Sequence, residues 1–395
     1  MESDFVVSGG GIGGAVLAEL LARAGKRVVV LEKSLRAPTW TRPEIFWPVT
    51  ADFLATLIPR EVFAPIDAFD IHDGRRVEEL VPAEALLEAR VRPSSADPNV
   101  VRELLLERAT FEVKRGVEVV SLLPENERSE ALRIGGVRAR EVETGREFDV
   151  SAEWTIGDDG VRSVVRDGCV IGVDLRMFPV DFLCFGPLWP EGLPPSRVRL
   201  WANRGRTSSG ILGLGAVPLP GGRGTGLVLA LPRAFEDPRA ADDWQRFLAC
   251  DPLLAAIVGD RAFPGDFTRV RRPWGHADRY GVDGALLLGD AAHPVSPAGG
   301  QGASMAVADA RALAEILLSG EPDPVASFER RRRAANARSL AITRLVHRIW
   351  SVPRWCRSTP LFFAALAFLR SHPSVLARAV RNVSTRFLEE PPETP

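Results

Sequence analysis

The sequence contains few of the residues that mark a disulfide-stapled or zinc-binding protein. No two of its four cysteines form a CxxC pair, and no histidine cluster with zinc-ligand spacing lies near them. We therefore expect reduced structural thiols and no metal site. Residues 1–4 lack the basic segment that begins a signal peptide, so a cytoplasmic location is expected. The cysteines are Cys169, Cys184, Cys250 and Cys356.

An excess of charge of either sign and long apolar runs are also lacking. The formal net charge is −1, which argues against a dedicated nucleic-acid-binding protein. The apolar run at 361–369 is shorter than the about 20 residues that a membrane-spanning helix needs. Charge is uneven locally, since residues 328–387 contain thirteen arginines and a single acidic residue, Glu329. Two interpretations stay open for this region: a solvated basic surface, or one that contacts anionic lipid or a carrier-bound substrate.

The N-terminal pattern predicts a strand, a helix and a second strand. Residues 4–8 and 27–32 are apolar enough for buried strands, and residues 13–24 place small apolar side chains on one side of a helix. The turn before the helix, residues 9–14, reads GGGIGG and matches GxGxxG. Together these elements form a complete βαβ unit of the kind that binds dinucleotides.

The residues of this unit have the properties that a dinucleotide site needs. Gly9 permits a tight turn, Gly11 permits close approach of the backbone to a diphosphate, and Gly14 permits the helix to pack on the strand. The helix N-terminus offers unpaired N–H groups to the diphosphate. Glu32 ends the second strand, where its carboxylate can accept hydrogen bonds from both hydroxyls of an adenosine ribose. This pattern alone does not separate FAD from NAD.

Two further segments carry a family resemblance. Residues 289–304 read GDAAHPVSPAGGQGAS and resemble the GDAAHxxxPxxGQG signature of the para-hydroxybenzoate hydroxylase-like flavoprotein monooxygenases, the group A aromatic-ring hydroxylases. Residues 157–166 resemble the same family's GxDGxxSxxR motif. In that family the aspartate of the first signature contacts the ribityl chain of FAD, and the loop after the proline lies beside the isoalloxazine ring. Arg42 and Arg102 are similar to family arginines that contact the FAD phosphates.

The resemblance implies a set of cofactor contacts in this sequence. Catalysis is expected to be centred on the flavin, with Pro297, Gly299 and His293 near the ring. Substrate contacts are predicted for Pro297 and for Phe185 and Trp201, two aromatic residues on predicted strands of the inserted sheet. The residues predicted to bind the cofactor are Gly9, Gly11, Ile12, Gly13, Gly14, Glu32, Lys33, Arg42, Arg102, Asp159, Asp290, Gly300, Gly302 and Ala303.

The resemblance implies an FAD-dependent monooxygenase that uses NADH or NADPH and dioxygen. Such an enzyme hydroxylates or epoxidises an electron-rich aromatic or polycyclic, quinone-like small molecule through a C4a-hydroperoxyflavin. An alternative is an FAD-dependent dehydrogenase or reductase of the geranylgeranyl reductase-like branch, which activates no oxygen. A binding protein that has lost its chemistry is a third hypothesis. The substrate, the choice between NADH and NADPH and the oligomeric state are left open by the sequence.

The predicted fold is α/β, with a Rossmann-like FAD-binding lobe, an inserted antiparallel sheet and a helical C-terminal region. Strand-like runs separated by glycine- and proline-rich turns after residue 170 predict the inserted sheet. The expected FAD-binding domain is discontinuous and covers residues 1–70, 97–172 and 275–343. The substrate domain is expected at residues 71–96 and 173–274. C-terminal helices and a tail are expected at residues 344–395.

Overall fold

The computed structural model of the protein describes residues 2–39, 42–72, 77–125, 133–178, 180–186, 194–202, 211–230, 245, 249, 266–271, 273–297, 300–351, 367–369 and 371–386. The strands are β1 Glu2–Ser8, β2 Val28–Glu32, β3 Glu44–Phe46, β4 Ala64–Pro65, β5 Ala68–His72, β6 Val77–Val81, β7 Ser94–Ala96, β8 Glu112–Arg115, β9 Val117–Pro124, β10 Ile134–Glu141, β11 Glu147–Gly157, β12 Arg176–Met177, β13 Asp181–Gly186, β14 Arg197–Ala202, β15 Ile211–Leu219, β16 Arg223–Ala230, β17 Asp266–Val270, β18 Pro273–Trp274, β19 Gly281–Val282 and β20 Ala285–Leu287. The helices are α1 Ile12–Arg23, α2 Pro48–Leu54, α3 Ala83–Glu88, α4 Pro98–Glu107, α5 Val164–Gly168, α6 Gly302–Ser319, α7 Pro324–Ser351 and α8 Pro373–Thr385.

The first sheet is the nucleotide-binding type that the βαβ pattern predicts. Strands β20, β11, β1, β2 and β8 lie side by side and are parallel, with β19 antiparallel at the edge. Strands β9 and β10 add an antiparallel extension to the long strand β11. All five residues of β2 are buried, as expected for a parallel strand covered on both faces. Helix α1 covers one face with Ala15, Leu17 and Leu21 fully buried.

The second sheet confirms the predicted insertion of an antiparallel lobe. Its order is β17-β13-β16-β15-β14-β5-β6, and every neighbouring pair is antiparallel except β14 with β5. Strands β13, β14 and β16 lie among the strand-like runs that the sequence predicts after residue 170. The exact domain ranges stay a prediction. Strand β5 crosses the expected boundary at residue 70, and helix α7 crosses the expected boundary at residue 343.

The C-terminal helix α8 is amphipathic and packs with one apolar face inward. Leu376, Ala377 and Val380 join a buried cluster that includes Trp47 and Leu86. No helix among the described residues is long and apolar enough to cross a membrane.

A buried polar network ties the loop after β20 to α6 and α7. Asp309 on α6 is fully buried, and its carboxylate accepts hydrogen bonds from Arg332 Nε at 2.8 Å and Asn336 Nδ2 at 3.0 Å. The same carboxylate is hydrogen-bonded to Nε2 of His293 in the loop. Burial alone would raise the pKa of Asp309, but His293 and Arg332 hold that pKa well below its usual range. The carboxylate is therefore ionised, and each of its partners depends on it.

The network continues to a second histidine. Asn336 Nδ2 lies 3.2 Å from Tyr280 Oη, which is 2.6 Å from His276 Nε2. Burial lowers the pKa of His276 to about 4, so this ring is neutral near pH 7.

Replacing Asp309 should destabilise the fold strongly. Asp309→Asn removes the anion that balances buried Arg332, and breaking a buried pair in this way costs about 3–5 kcal/mol. Glu315→Gln on the same helix is the matched control, since Glu315 pairs with Arg331 in solvent and should contribute at most about 1 kcal/mol. The free energies of unfolding of both variants, measured with denaturant, check the difference. Equal losses would show that the buried network does not stabilise the fold.

Candidate functional site

A polar cavity lies at the carboxyl ends of β1 and β11, between the N-termini of α1 and α6. Ligands of open α/β sheets bind at this end of the strands. Nine predicted cofactor-site or flavin-side residues line it: Gly11, Ile12, Gly13, Arg42, Arg102, Asp290, Pro297, Gly302 and Ala303. The motifs at 9–14, 157–166 and 289–304 are thus brought together by the fold.

The glycine turn is fastened to Glu32 and Arg102. Glu32 Oε2 accepts a hydrogen bond from Gly10 N at 2.9 Å, and Oε1 accepts one from Ser34 N at 2.7 Å. Arg102 Nη2 lies 3.1 Å from Glu32 Oε2, while Arg102 Nε donates to Gly10 O at 2.7 Å. Burial would raise the pKa of Glu32, but Arg102 and the backbone donors hold it below its usual range. Glu32 is therefore an ionised acceptor beside the turn.

Several predicted residues lie near the cavity without lining it. Gly9 and Gly14, at the two ends of the turn, lie against Asp158, and Lys33 is exposed. Asp159 accepts a hydrogen bond from Val165 N at 3.1 Å, at the start of α5. His293 is buried in the Asp309 network rather than on the cavity wall.

Three predicted residues fall outside what the structure describes. These are Gly299 and the side chains of Phe185 and Trp201. Their predicted roles stay predictions.

The structure adds residues that motif matching overlooked, and Asp158 is the most informative. Its Oδ2 accepts a hydrogen bond from Gly14 N at 2.8 Å, which places a carboxyl group directly against the glycine turn. It precedes the motif aspartate, Asp159, so its position in the sequence could have drawn attention to it. Gly160, which matches the motif at 157–166, also lines the cavity, and the other lining residues outside the predicted site are Glu44, Pro98, Asn99, Val295, Ser296 and Ala306.

A second cavity of about 460 Å³ adjoins the first and is apolar. The sheet lobe provides one wall, helix α8 provides another, and Pro297 lines both cavities. The strand alternation of β14 could have indicated the pair Val198 and Leu200, which share a face. The described lining residues are Pro43, Ile45, Trp47, Phe69, Leu80, Val81, Phe182, Val198, Leu200, Val217, Leu227, Pro297, Gly300, Leu376, Ala379, Val380 and Val383.

Comparison with known proteins decides which cofactor this arrangement serves. Residues 2–340 match the FAD-binding domain family. The chain belongs to this family. The predicted family resemblance is thereby confirmed, and FAD rather than NAD is the bound dinucleotide.

The similar proteins act as oxygenases. The chain is 27% identical to 3-hydroxybenzoate 6-hydroxylase 1 of Aquipseudomonas alcaligenes over 383 residues, covering 87% of each protein. It is 30% identical to 6-methylpretetramide 4-monooxygenase of Streptomyces rimosus over 339 residues, covering 81% of this chain and 76% of that one. The crystal structure of pqsL from Pseudomonas aeruginosa, described as a probable FAD-dependent monooxygenase, matches with a TM-score of 0.68 at 25% identity, covering 93% of this chain and 99% of that one. These family members favour the FAD-dependent monooxygenase over the dehydrogenase alternative, and that prediction is confirmed.

A methyl group at Gly11 should weaken FAD binding while leaving the fold intact. Besides crowding the diphosphate, a Cβ at Gly11 would collide with Asp158 Oδ2. Gly11→Ala must displace that carboxyl from Gly14 N, and overpacking of this kind costs about 1–3 kcal/mol. FAD affinity, measured by fluorescence titration of the apoprotein, should fall because the glycine turn and the Asp158 carboxyl are pushed out of place at the cavity.

Gly215→Ala on β15 is the matched control for this experiment. The nearest atom to its added methyl group would be Leu200 Cδ2 at 3.3 Å, away from the polar cavity. Its FAD affinity should equal that of the wild type. An unchanged FAD affinity in Gly11→Ala would contradict the placement of the cofactor at this turn.

Proposed function

We propose that this FAD-dependent monooxygenase uses NADH or NADPH and dioxygen to oxygenate an uncharged aromatic or polycyclic small molecule. The observation that carries the proposal is the sharing of Pro297 by the polar and the apolar cavity. A dinucleotide that extends from the glycine turn to Pro297 would reach the boundary of the apolar cavity with its far end. A substrate in that cavity would then lie beside the redox group.

The residues of the polar cavity fit FAD. Gly11 and Gly13 let the diphosphate approach the backbone at the N-terminus of α1, where N–H groups and the helix dipole favour an anion. Arg42 and Arg102 would add positive charge, and the Asp290 carboxylate would accept hydrogen bonds from the ribityl hydroxyls. When bound, FAD would supply electron transfer and oxygen activation.

Glu32 retains the capacity to hold a ribose. Each of its carboxylate oxygens accepts one backbone hydrogen bond, and a carboxylate offers about four lone-pair positions in total. Ribose hydroxyls could therefore share this group without displacing the turn.

The apolar cavity defines the substrate class that we propose. No charged side chain lines it among the described residues, so a carboxylate substrate would lose its hydration there without gaining a counter-ion. The volume of about 460 Å³ lies within the range of small-molecule sites. With a substrate in place, the same apolar walls would keep water away from the reacting groups and limit side reactions.

Trp47 lines this apolar wall and carries an N–H group just behind its surface. Its indole Nε1 is buried and has no hydrogen-bond partner among the described residues. A substrate oxygen, carbonyl or phenolic, would accept that hydrogen bond once the side chains packed over Nε1 shift to admit it. We therefore infer that the substrate combines a flat apolar body with an accepting oxygen, as quinone-like and phenolic polycycles do.

Oxygen uptake and product mass test the proposed reaction. The FAD-loaded protein would be mixed with NADH or NADPH and a panel of uncharged phenolic polycycles and quinones, with hydroxybenzoates as the charged comparison. We expect substrate-dependent oxygen consumption and a product that has gained one oxygen atom with the uncharged compounds. Conversion of substrate without a gain of oxygen would contradict the proposal, as would a preference for the hydroxybenzoates.

Trp47→Phe should weaken binding of the accepted substrate by about 1–3 kcal/mol, because the ligand oxygen would lose its donor. Trp154→Phe is the matched control, since Trp154 is also buried but lies on β11, away from the apolar cavity. The dissociation constant of the compound that triggers oxygen uptake checks both variants. Equal affinities in the two variants would show that the Trp47 N–H does not contact the substrate.

A further inference from the structure

Asp158 is a carboxyl group placed where the cofactor would bring further negative charge. It follows β11, and its backbone N donates to Ser8 O at 2.9 Å, so the position of the residue is fixed by the sheet. Its Oδ2 accepts from Gly14 N at 2.8 Å. Oδ1 therefore remains as the oxygen that can carry a proton. Asp158 is partly exposed and lines the polar cavity, which FAD would fill.

The charges around Asp158 are mostly negative. Among the described residues it forms no ion pair, and Arg102 on the cavity wall already binds Glu32 and Gly10. Burial, followed by the nearby acids, raises the pKa of Asp158 well above its usual value, and the hydrogen bond from Gly14 opposes this only in part. The charged groups that face this region are Asp159, Asp290, Glu32, Glu44, Arg42 and Arg102.

We propose that Asp158 binds FAD in its neutral form and that one proton enters the protein with the cofactor. An ionised Asp158 would repel the diphosphate at the glycine turn in a site with little water to screen the charges. The protonated group instead accepts from Gly14 N through Oδ2 and can donate from Oδ1 to the diphosphate. The inference rests on FAD being bound at this turn and not on the reaction proposed above.

The sign of the pH dependence follows from this linkage. The diphosphate makes the pKa of Asp158 higher in the FAD complex than in the apoprotein. Below the apoprotein pKa both forms carry the proton, and the dissociation constant of FAD does not change with pH. Between the two pKa values only the complex carries it, so the dissociation constant rises by up to about tenfold per pH unit. The affected range lies above the ordinary aspartate pKa of about 4.

Titration of apoprotein with FAD at several pH values tests the proposal. FAD fluorescence gives the dissociation constant of the wild type from about pH 5 to about pH 9, above the ordinary aspartate pKa. Asp158→Asn keeps the shape and an acceptor for Gly14 N but cannot ionise, so its dissociation constant should not vary over the range where the wild type varies. Asp149→Asn is the matched control at the other end of β11, where the carboxylate is exposed and bonded to Arg138 at 2.8 Å. It should retain the wild-type pH dependence.

A proton count on the wild type gives an independent measurement that needs no variant. Calorimetric titration in buffers of different ionisation enthalpy should show uptake of up to one proton per FAD. No uptake at any pH would overturn the proposal, and so would a pH dependence in Asp158→Asn equal to that of the wild type. A folded Asp158→Asn protein that binds no FAD would also overturn it. Gly11→Ala tests separately whether FAD binds at the glycine turn. If this variant loses FAD while the wild type takes up no proton, FAD does bind at the turn and only the inference about Asp158 fails.

Discussion

The site depends on the parallel pairing of β1 with β11. This pairing runs from residue 2 to residue 8 and ends with the hydrogen bond from Asp158 N to Ser8 O. It holds the turn after β1 against the turn after β11 so closely that Gly9 contacts the Asp158 backbone and has a φ of 96°. A side chain at Gly9 would both clash and be strained, because a positive φ suits glycine. The close contact sets the N-terminus of α1 at the mouth of the polar cavity.

The acids around the cofactor cavity are stabilised in different ways. Glu32 is ionised and is held by backbone N–H groups and Arg102. Asp159 accepts hydrogen bonds at the start of α5. Asp158 accepts a hydrogen bond from Gly14 N and pairs with no cation among the described residues. In the inference drawn above, a bound proton neutralises its charge instead. A site for an anionic cofactor can contain carboxylates only when each one is balanced in such a way.

The two cavities differ in polarity because different kinds of element line most of each one. Strand ends and helix N-termini leave backbone donors and charged side chains in the polar cavity. Alternate residues of the antiparallel sheet, together with α8, present hydrocarbon to the apolar one. The segment around Pro297 separates them, and its upstream end is fixed by His293 in the Asp309 network. The function proposed above uses this change of environment over a short distance, since FAD is charged and the proposed substrate is apolar.

The sequence by itself determined the fold class, the family and most of the polar cavity, because these depend on local patterns. The glycine turn, its flanking strands and the motif around Asp290 each work through the backbone of a short segment, and such segments can be recognised in isolation. Only the tertiary structure showed that His293 is buried against Asp309 and that Asp158 contacts Gly14, since each contact joins elements distant in sequence. The apolar cavity likewise needs the sheet and α8 to be folded together. Packing between distant segments decides where an acid is desolvated and which apolar faces remain uncovered, and no local pattern contains that information.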